Sequence, residues 1–92
     1  MQIEAVRTTN HAEIKRWVKD RHGVPARILE TDTPGLGPLT IYFPEAQEKP
    51  DNLEVLTWDV FLEDFENHGY RFVYQEALPD GTMSYFYRIE RG

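Results

Sequence analysis

The chain has no cysteine, and no long apolar run interrupts its polar sequence. Without cysteine there are no disulfides and no thiolate metal sites, and this composition is typical of a cytoplasmic protein, which is the location we expect. No stretch of about 18 apolar residues occurs, so the sequence predicts no membrane span. The opening residues MQIEAVRTT also lack the apolar segment of a signal peptide.

Basic side chains are scarce outside the first third of the chain. Residues 1–27 carry six Lys and Arg against three acids, a balance of +3, whereas residues 28–92 carry four against thirteen, a balance of −9. The sum of −6 opposes binding to a polyanion. Such uneven placement indicates a protein partner, a contact between copies, or solubility alone.

The length of 92 residues fits one domain. We expect residues 1–92 to form it, with residues 1–8 as an N-terminal lead or a short strand. Phe, Tyr and Trp together number 12, so large aromatic side chains are expected to supply much of a modest core.

Residues 10–23 have the pattern of one complete helix. Asn10 is a favourable N-cap, and Glu13 stands at the spacing of a capping box. An apolar stripe follows at helical spacing: Ile14, Trp17 and Val18. The pair His22-Gly23 predicts the end of the helix, with the glycine free to take a positive φ, and Pro25 prevents its resumption.

The remaining chain predicts four strands and a second helix. Strands are expected at residues 26–30, 39–43, 70–77 and 82–90, with exposed loops at 31–38 and 44–52. The second helix begins at Thr57, and residues 78–81, Leu-Pro-Asp-Gly, predict a hairpin turn. The order α-β-β-α-β-β predicts an α+β fold. We expect an antiparallel sheet of four or five strands with two helices packed on one face.

The two halves correspond loosely. Ile14 and Val18 match Phe61 and Phe65 at an offset of 47, and each helix ends in His-Gly before a strand. The match fits an internal structural repeat. It also fits two unrelated helices that use the same common stop signal.

Residues 9–28 resemble a family of short bacterial proteins that has no established chemistry. Its pattern is matched here by Thr9, His11, Ile14, Trp17, Arg21, Gly23, Pro25 and Ala26. Further matches lie at residues 39–44, 58–65 and 72–76, although His22 stands where that family commonly has glycine. Some members carry the name glucan branching enzyme. That name does not suit a chain of this size, because the chemistry resembles that of (β/α)₈-barrel enzymes. The barrel alone needs around 250 residues.

The sequence predicts no catalytic site, metal site or cofactor. The three histidines, His11, His22 and His68, have no ligand spacing, and helix ends account for the last two. The glycines at 35 and 37 are flanked by Pro34 and Pro38, which is typical of a turn and not of a phosphate cradle. We expect the acids Asp59, Glu63 and Glu66 to form a solvated helix face. No nucleophile–base pair appears, so an enzyme is not expected.

One set of residues remains as a possible interaction surface: Lys15, Arg16, Lys19, Tyr70, Tyr74, Tyr85 and Tyr87. The leading hypothesis is a non-enzymatic protein-interaction or accessory module, with a homodimer as one form of it, acting through an exposed tyrosine-rich sheet face. The first alternative is weak nucleic-acid binding through the basic face of the first helix. The second is binding of a small molecule between sheet and helices.

Overall fold

The computed structural model describes residues 5–29 and 37–91, and it confirms the predicted α+β class and element order. The described residues form two helices and six strands, in this order: β1 Val6–Thr8, α1 His11–Asp20, β2 Val24–Ile28, β3 Leu39–Tyr42, β4 Leu53–Val55, α2 Trp58–Asn67, β5 Tyr70–Tyr74 and β6 Tyr87–Arg91. The predicted loop at residues 31–38 lies mostly outside the described residues, and the loop at 44–52 is exposed as expected.

The strands form two sheets, with orders β1-β5-β6 and β3-β2-β4. Every pairing is antiparallel, as predicted. The strands number six in two sheets, however, where we had expected four or five in one. The unexpected strand is β4, which has three residues and is therefore too short to show an alternating pattern.

The topology repeats, and the two halves exchange a strand. Each half runs β-α-β-β, and α1 and α2 begin 47 positions apart, at His11 and Trp58. In each half the first strand pairs with the hairpin of the other half, so that β1 lies beside β5 and β4 lies beside β2. This exchange favours the repeat interpretation over the common stop signal. It also makes each half depend on the other to complete its sheet.

The main core forms where both helices pack on the inner sides of the sheets. Its centre is Trp17, which is 0% exposed and contacts the rings of Phe43, Phe72, Tyr74 and Tyr87. The apolar stripe predicted for α1 enters this core, and Phe61, Leu62 and Phe65 of α2 enter it from the other helix. A second, smaller cluster of Ala26, Tyr42 and Leu53 is separate from it.

The start of α1 confirms the predicted cap but not the capping box. The side chain of Asn10 accepts a hydrogen bond from the Glu13 N–H at 2.9 Å. The Glu13 carboxylate does not return to the Asn10 N–H, because it accepts from the hydroxyls of Thr8 and Tyr74. The Asn10 N–H donates to Thr8 Oγ1 at 3.0 Å instead. Glu13 thereby joins α1 to β5.

The end of α1 corrects the expectation for Gly23. The residue with positive φ is His22, at +58°, and Gly23 is not among the positive-φ glycines. Gly23 is small for a different reason, since a Cβ there would lie 3.0 Å from side-chain atoms of Ile41, Phe43 and Val18. At the offset of 47, His22 corresponds to Gly69, whose φ is +66°. The two His-Gly pairs are therefore one position out of register.

Replacing His22 with glycine is expected to raise the free energy of unfolding by about 1 kcal/mol, because a side chain in the left-handed region is strained and glycine is not. The ring of His22 has little to lose. Its Nδ1 lies 3.6 Å from Glu45 Oε1, and both side chains are largely exposed. Urea unfolding of the wild type and the variant measures the change.

The matched change at the end of α2 should act in the opposite direction. No atom lies within 4 Å of a Cβ placed on Gly69, so Gly69→Ala adds backbone strain without a clash. We expect a loss of about 1 kcal/mol. Changes of the same sign in both variants would contradict this description of the helix ends.

Candidate interaction surfaces

The predicted tyrosine-rich face is not an open surface. Tyr74 is only 3% exposed, and Tyr70 and Tyr87 are half-buried against the main core. Only Tyr85 is largely exposed, at 52%. The expectation was wrong because the aromatic side of these strands is the side that packs on Trp17 of α1.

Tyr87 joins the two sheets. Its hydroxyl lies 2.8 Å from Thr40 Oγ1 and accepts from the Ile41 N–H at 3.2 Å, so it bonds the edge of β3 from β6. An edge strand carries unpaired backbone groups, and a phenol hydroxyl can both donate and accept. The role of Tyr87 is therefore structural.

Tyr74 makes the stability of the protein fall at alkaline pH. Burial, together with the hydrogen bond to Glu13, raises the pKa of Tyr74 from 10.0 to about 12. The folded state thus holds this proton more tightly than the unfolded state does. The resulting stability is present below pH 10 and is lost as the pH rises from 10 through about 12. Phenolate absorbance should show one tyrosine titrating in this late range. Tyr74→Phe should remove that step, and its persistence in the variant would contradict the assignment.

The predicted basic face of α1 is partly neutralised. Lys15 is half-buried, and Arg16 and Lys19 are exposed. Arg16 Nη2 lies 2.8 Å from Glu76 Oε1, and Arg16 Nη1 lies 3.3 Å from Asp20 Oδ2. The hydrogen bond from Arg16 lowers the pKa of Glu76. Fewer positive contacts therefore remain for a nucleic acid than the sequence suggested.

The histidines lie at helix ends and beside carboxylates. His11 Nε2 is 2.8 Å from Glu66 Oε1, although the contact lacks the orientation of a hydrogen bond. His68 Nδ1 lies 2.9 Å from the Asp64 carbonyl oxygen in the last turn of α2, where we expected a cation-capable residue. The Asp64 carboxylate pairs with Arg27 at 2.9 Å.

The described residues contain no group of three or more His, Cys, Asp or Glu able to hold a metal ion. Among the same residues, no helix is long and apolar enough to cross a membrane. The acids Asp59, Glu63 and Glu66 are exposed, as predicted for a solvated face. Of the predicted Gly35–Leu36–Gly37 turn, only Gly37 lies within the described residues, and a Cβ there would overlap the Ile28 carbonyl oxygen.

Arg21 is a buried anchor that no pattern in the sequence indicated. The residue is only 4% exposed, and its guanidinium carbon lies 4.2 Å from the ring centre of Trp17. It donates to four backbone carbonyl oxygens: Ser84 at 2.6 Å, Trp17 at 2.9 Å, Glu76 at 2.9 Å and Gln75 at 3.4 Å. Burial lowers the pKa of Arg21, but a guanidinium stays charged at any ordinary pH.

Arg21 holds the connection between β5 and β6, residues 75–86, which we call the arm. The last regular pair is Tyr74 with Tyr87, and the next bridge joins Ala77 to Met83. The three residue steps from Tyr74 to Ala77 thus oppose the four from Met83 to Tyr87, so the strand that leads into β6 carries a bulge. A bulge frees backbone groups from the ladder. Within this bulge, the Ser84 carbonyl oxygen accepts the hydrogen bond from Arg21 Nε.

The arm is ordered to its tip. Leu78 N–H donates to the Thr82 carbonyl at 2.7 Å, and Gly81 takes a φ of +90°. Asp80 Oδ1 accepts from the Thr82 N–H at 3.0 Å. These contacts confirm the predicted turn at residues 78–81.

The arm also carries most of the exposed large apolar side chains. Seven such side chains occur among the described residues, and four of them lie in the arm: Leu78, Met83, Tyr85 and Phe86, each between 42% and 52% exposed. The bulge explains why the consecutive residues Tyr85 and Phe86 are both exposed, since regular strand alternation would place them on opposite faces. Apolar exposure is thus concentrated on one element.

Comparison with known proteins gives no family. No family model matches the chain, and neither a curated protein nor a solved structure matches it. The resemblance described for residues 9–28 therefore stays a prediction. Arg21 and Gly23, two residues of that pattern, have structural roles here.

Proposed function

We propose that this protein is a non-enzymatic interaction module that binds a protein partner through the arm. The observation that carries the proposal is the clustering of Leu78, Met83, Tyr85 and Phe86 as exposed side chains on an element that Arg21 fixes to α1. Exposed apolar clusters mark binding sites, and aromatic residues and methionine are enriched in interface cores.

Order in the free protein supports this proposal. A loop that must be ordered on binding loses affinity, whereas a preformed element does not. The arm is held by the Arg21 hydrogen bonds, by the Arg16–Glu76 ion pair and by the edge contact of Tyr85 with Phe43, whose ring centres are 5.5 Å apart.

The charge of the arm indicates the kind of partner. Residues 75–86 contain two acids, Glu76 and Asp80, and no Lys or Arg. A complementary partner has an apolar cleft with basic residues at its rim. The net charge of −6 opposes the approach of a second copy over long range. We therefore favour a different protein over a homodimer.

The test compares two double variants, each of which replaces two exposed apolar side chains with serine. Leu78→Ser with Met83→Ser changes the arm, and Val55→Ser with Val60→Ser changes exposed valines outside it. Each protein is immobilised, and proteins retained from a lysate are quantified. We expect a saturable partner that the wild type and the valine variant retain and that the arm variant loses.

Sedimentation velocity, from micromolar to near-millimolar protein, supplies the second measurement. We expect a monomer throughout. A dimer that the arm variant abolishes would make a second copy the partner and would overturn the charge argument. Equal retention by both double variants, with a monomer in sedimentation, would overturn the arm as the binding surface.

A further inference from the structure

Two adjoining cavities lie where β1 meets β5. They are near the start of β5, whereas the arm follows the end of that strand. The smaller has a volume of about 220 Å³ and is lined by Arg7, Thr8, Thr9 and Arg71. The larger has a volume of about 440 Å³, and its lining includes Phe65, Gly69 and Tyr70. Thr9 and Arg71 line both cavities, so the two adjoin.

The smaller cavity is rich in hydrogen-bond donors. Arg7 uses its Nε to bond Glu90 Oε1 at 3.1 Å, and its side chain is 54% exposed. Arg71 is exposed and forms no ion pair with another described residue. Two guanidinium groups beside the Thr9 hydroxyl are suited to an oxyanion, because arginine binds phosphate and carboxylate oxygens through paired N–H donors.

The larger cavity has room for the body of a ligand. Phe65 is only 1% exposed and packs edge to face with Tyr70 at 6.1 Å, so it supports the Tyr70 ring from the core and leaves Tyr70 as the aromatic side chain that a ligand can reach. The His68 ring stacks on Tyr70 at 5.2 Å. Gly69 adds no side chain, and no atom lies within 4 Å of the position that its Cβ would occupy. Tyr70 next to an open glycine leaves room for an apolar group.

A single carboxylate in the larger cavity restricts the ligand further. Glu66 belongs to its lining and lies 2.8 Å from His11 Nε2. A negative charge here repels a second anionic group on the ligand. The anionic head must therefore lie at the arginine end.

We infer that these cavities form one binding site for a small organic phosphate whose single phosphate group lies between Arg7 and Arg71 and whose apolar body lies against Tyr70 and Gly69. This site is separate from the arm, and it uses none of the residues that the proposed function needs. The inference favours the small-molecule alternative as an additional property of the protein. It locates the ligand at the edge of one sheet beside α2.

Titration with phenyl phosphate, followed by amide NMR, tests the site. We expect chemical-shift changes at Thr9, Gly69 and Arg71. Inorganic phosphate lacks the ring and should bind more weakly, and benzyl alcohol lacks the anion and should bind more weakly as well. Absence of changes at these three amides with phenyl phosphate would overturn the inference. Inorganic phosphate binding as tightly as phenyl phosphate would overturn the assignment of the larger cavity.

Two variants separate a built site from general charge attraction. Arg71→Gln removes a cation that lines both cavities. Lys49→Gln removes one that lies in the exposed loop at residues 44–52 and lines neither cavity. Loss of one charge-assisted contact should weaken phenyl phosphate binding about tenfold in Arg71→Gln, with less than about a twofold change in Lys49→Gln. Equal weakening in both would overturn the site.

Discussion

Replacing Arg21 with methionine is expected to lower the free energy of unfolding by about 3 kcal/mol, because buried carbonyl groups lose their donors. Arg21 donates to four carbonyl oxygens, and Ser84, which carries one of them, is only 1% exposed. Water can reach the Glu76 carbonyl more easily, since that residue is exposed. The loss should therefore be smaller than four full desolvation penalties. Urea unfolding with circular dichroism measures it.

The control for Arg21 is its neighbour Arg16. Arg16→Gln removes an arginine of the same helix, but that side chain is 46% exposed and pairs with carboxylates at the surface. An exposed ion pair contributes about 0–1 kcal/mol. If Arg21→Met were no more destabilising than Arg16→Gln, Arg21 would not anchor the arm.

The second large effect is expected at Trp17, where alanine should remove about 4 kcal/mol of stability. Trp17 is 0% exposed, touches four aromatic rings, and donates its indole N–H to the Gln75 carbonyl at 2.8 Å. The variant therefore combines a large cavity with a lost hydrogen bond. A protein of this size has a total stability of about 5–14 kcal/mol, so this loss is a large fraction of the total.

Trp58 supplies the comparison for Trp17. It is the other tryptophan of the chain, but it is half-buried at the start of α2, and its one ring contact is with Phe61 at 5.6 Å. Its side chain stays partly in water, so Trp58→Ala should lower stability by about half as much or less. Thermal unfolding of the two variants compares them, and an equal loss would contradict the central place of Trp17.

The elements with strong local signals were predictable from the sequence. The caps at Asn10 and Thr57 accept from the backbone as expected, and the turn at residues 78–81 forms. Each of these signals depends on residues within three or four positions of one another. The helix stripes were predictable too, because spacing alone determines which side chains share a face.

The features that the sequence did not predict depend on distant contacts. β4 is a strand because β2 lies beside it, and nothing within its three residues requires that conformation. Tyr74 is buried because α1 covers it. Arg21 is an anchor because residues 75–86, more than fifty positions away, bring their carbonyls to it. Charge counting gave Arg21 and Arg16 equal weight among the six basic residues at positions 1–27, and only the fold distinguishes the two.

The sequence did not locate the surface that we propose for binding. The sequence indicated a module that binds through exposed aromatic residues, and of its seven candidate residues only Tyr85 belongs to the arm. Leu78, Met83 and Phe86 carried no signal that separated them from core residues. Their exposure follows from the bulge, which becomes visible only when the pairs Tyr74 with Tyr87 and Ala77 with Met83 are compared.

We conclude that the arm is a preformed element held by Arg21, and amide hydrogen exchange measures this order. Three arm amides donate to backbone carbonyls on the opposite side of the arm, namely Gln75 to Phe86, Leu78 to Thr82 and Ser84 to Glu76, and the Gly81 amide donates to Leu78 within the turn. In the wild type we expect these amides to exchange far more slowly than an unstructured chain. In Arg21→Met they should lose protection while the amides of β5 retain theirs. Exchange of the three amides at unstructured rates in the wild type would contradict the claim.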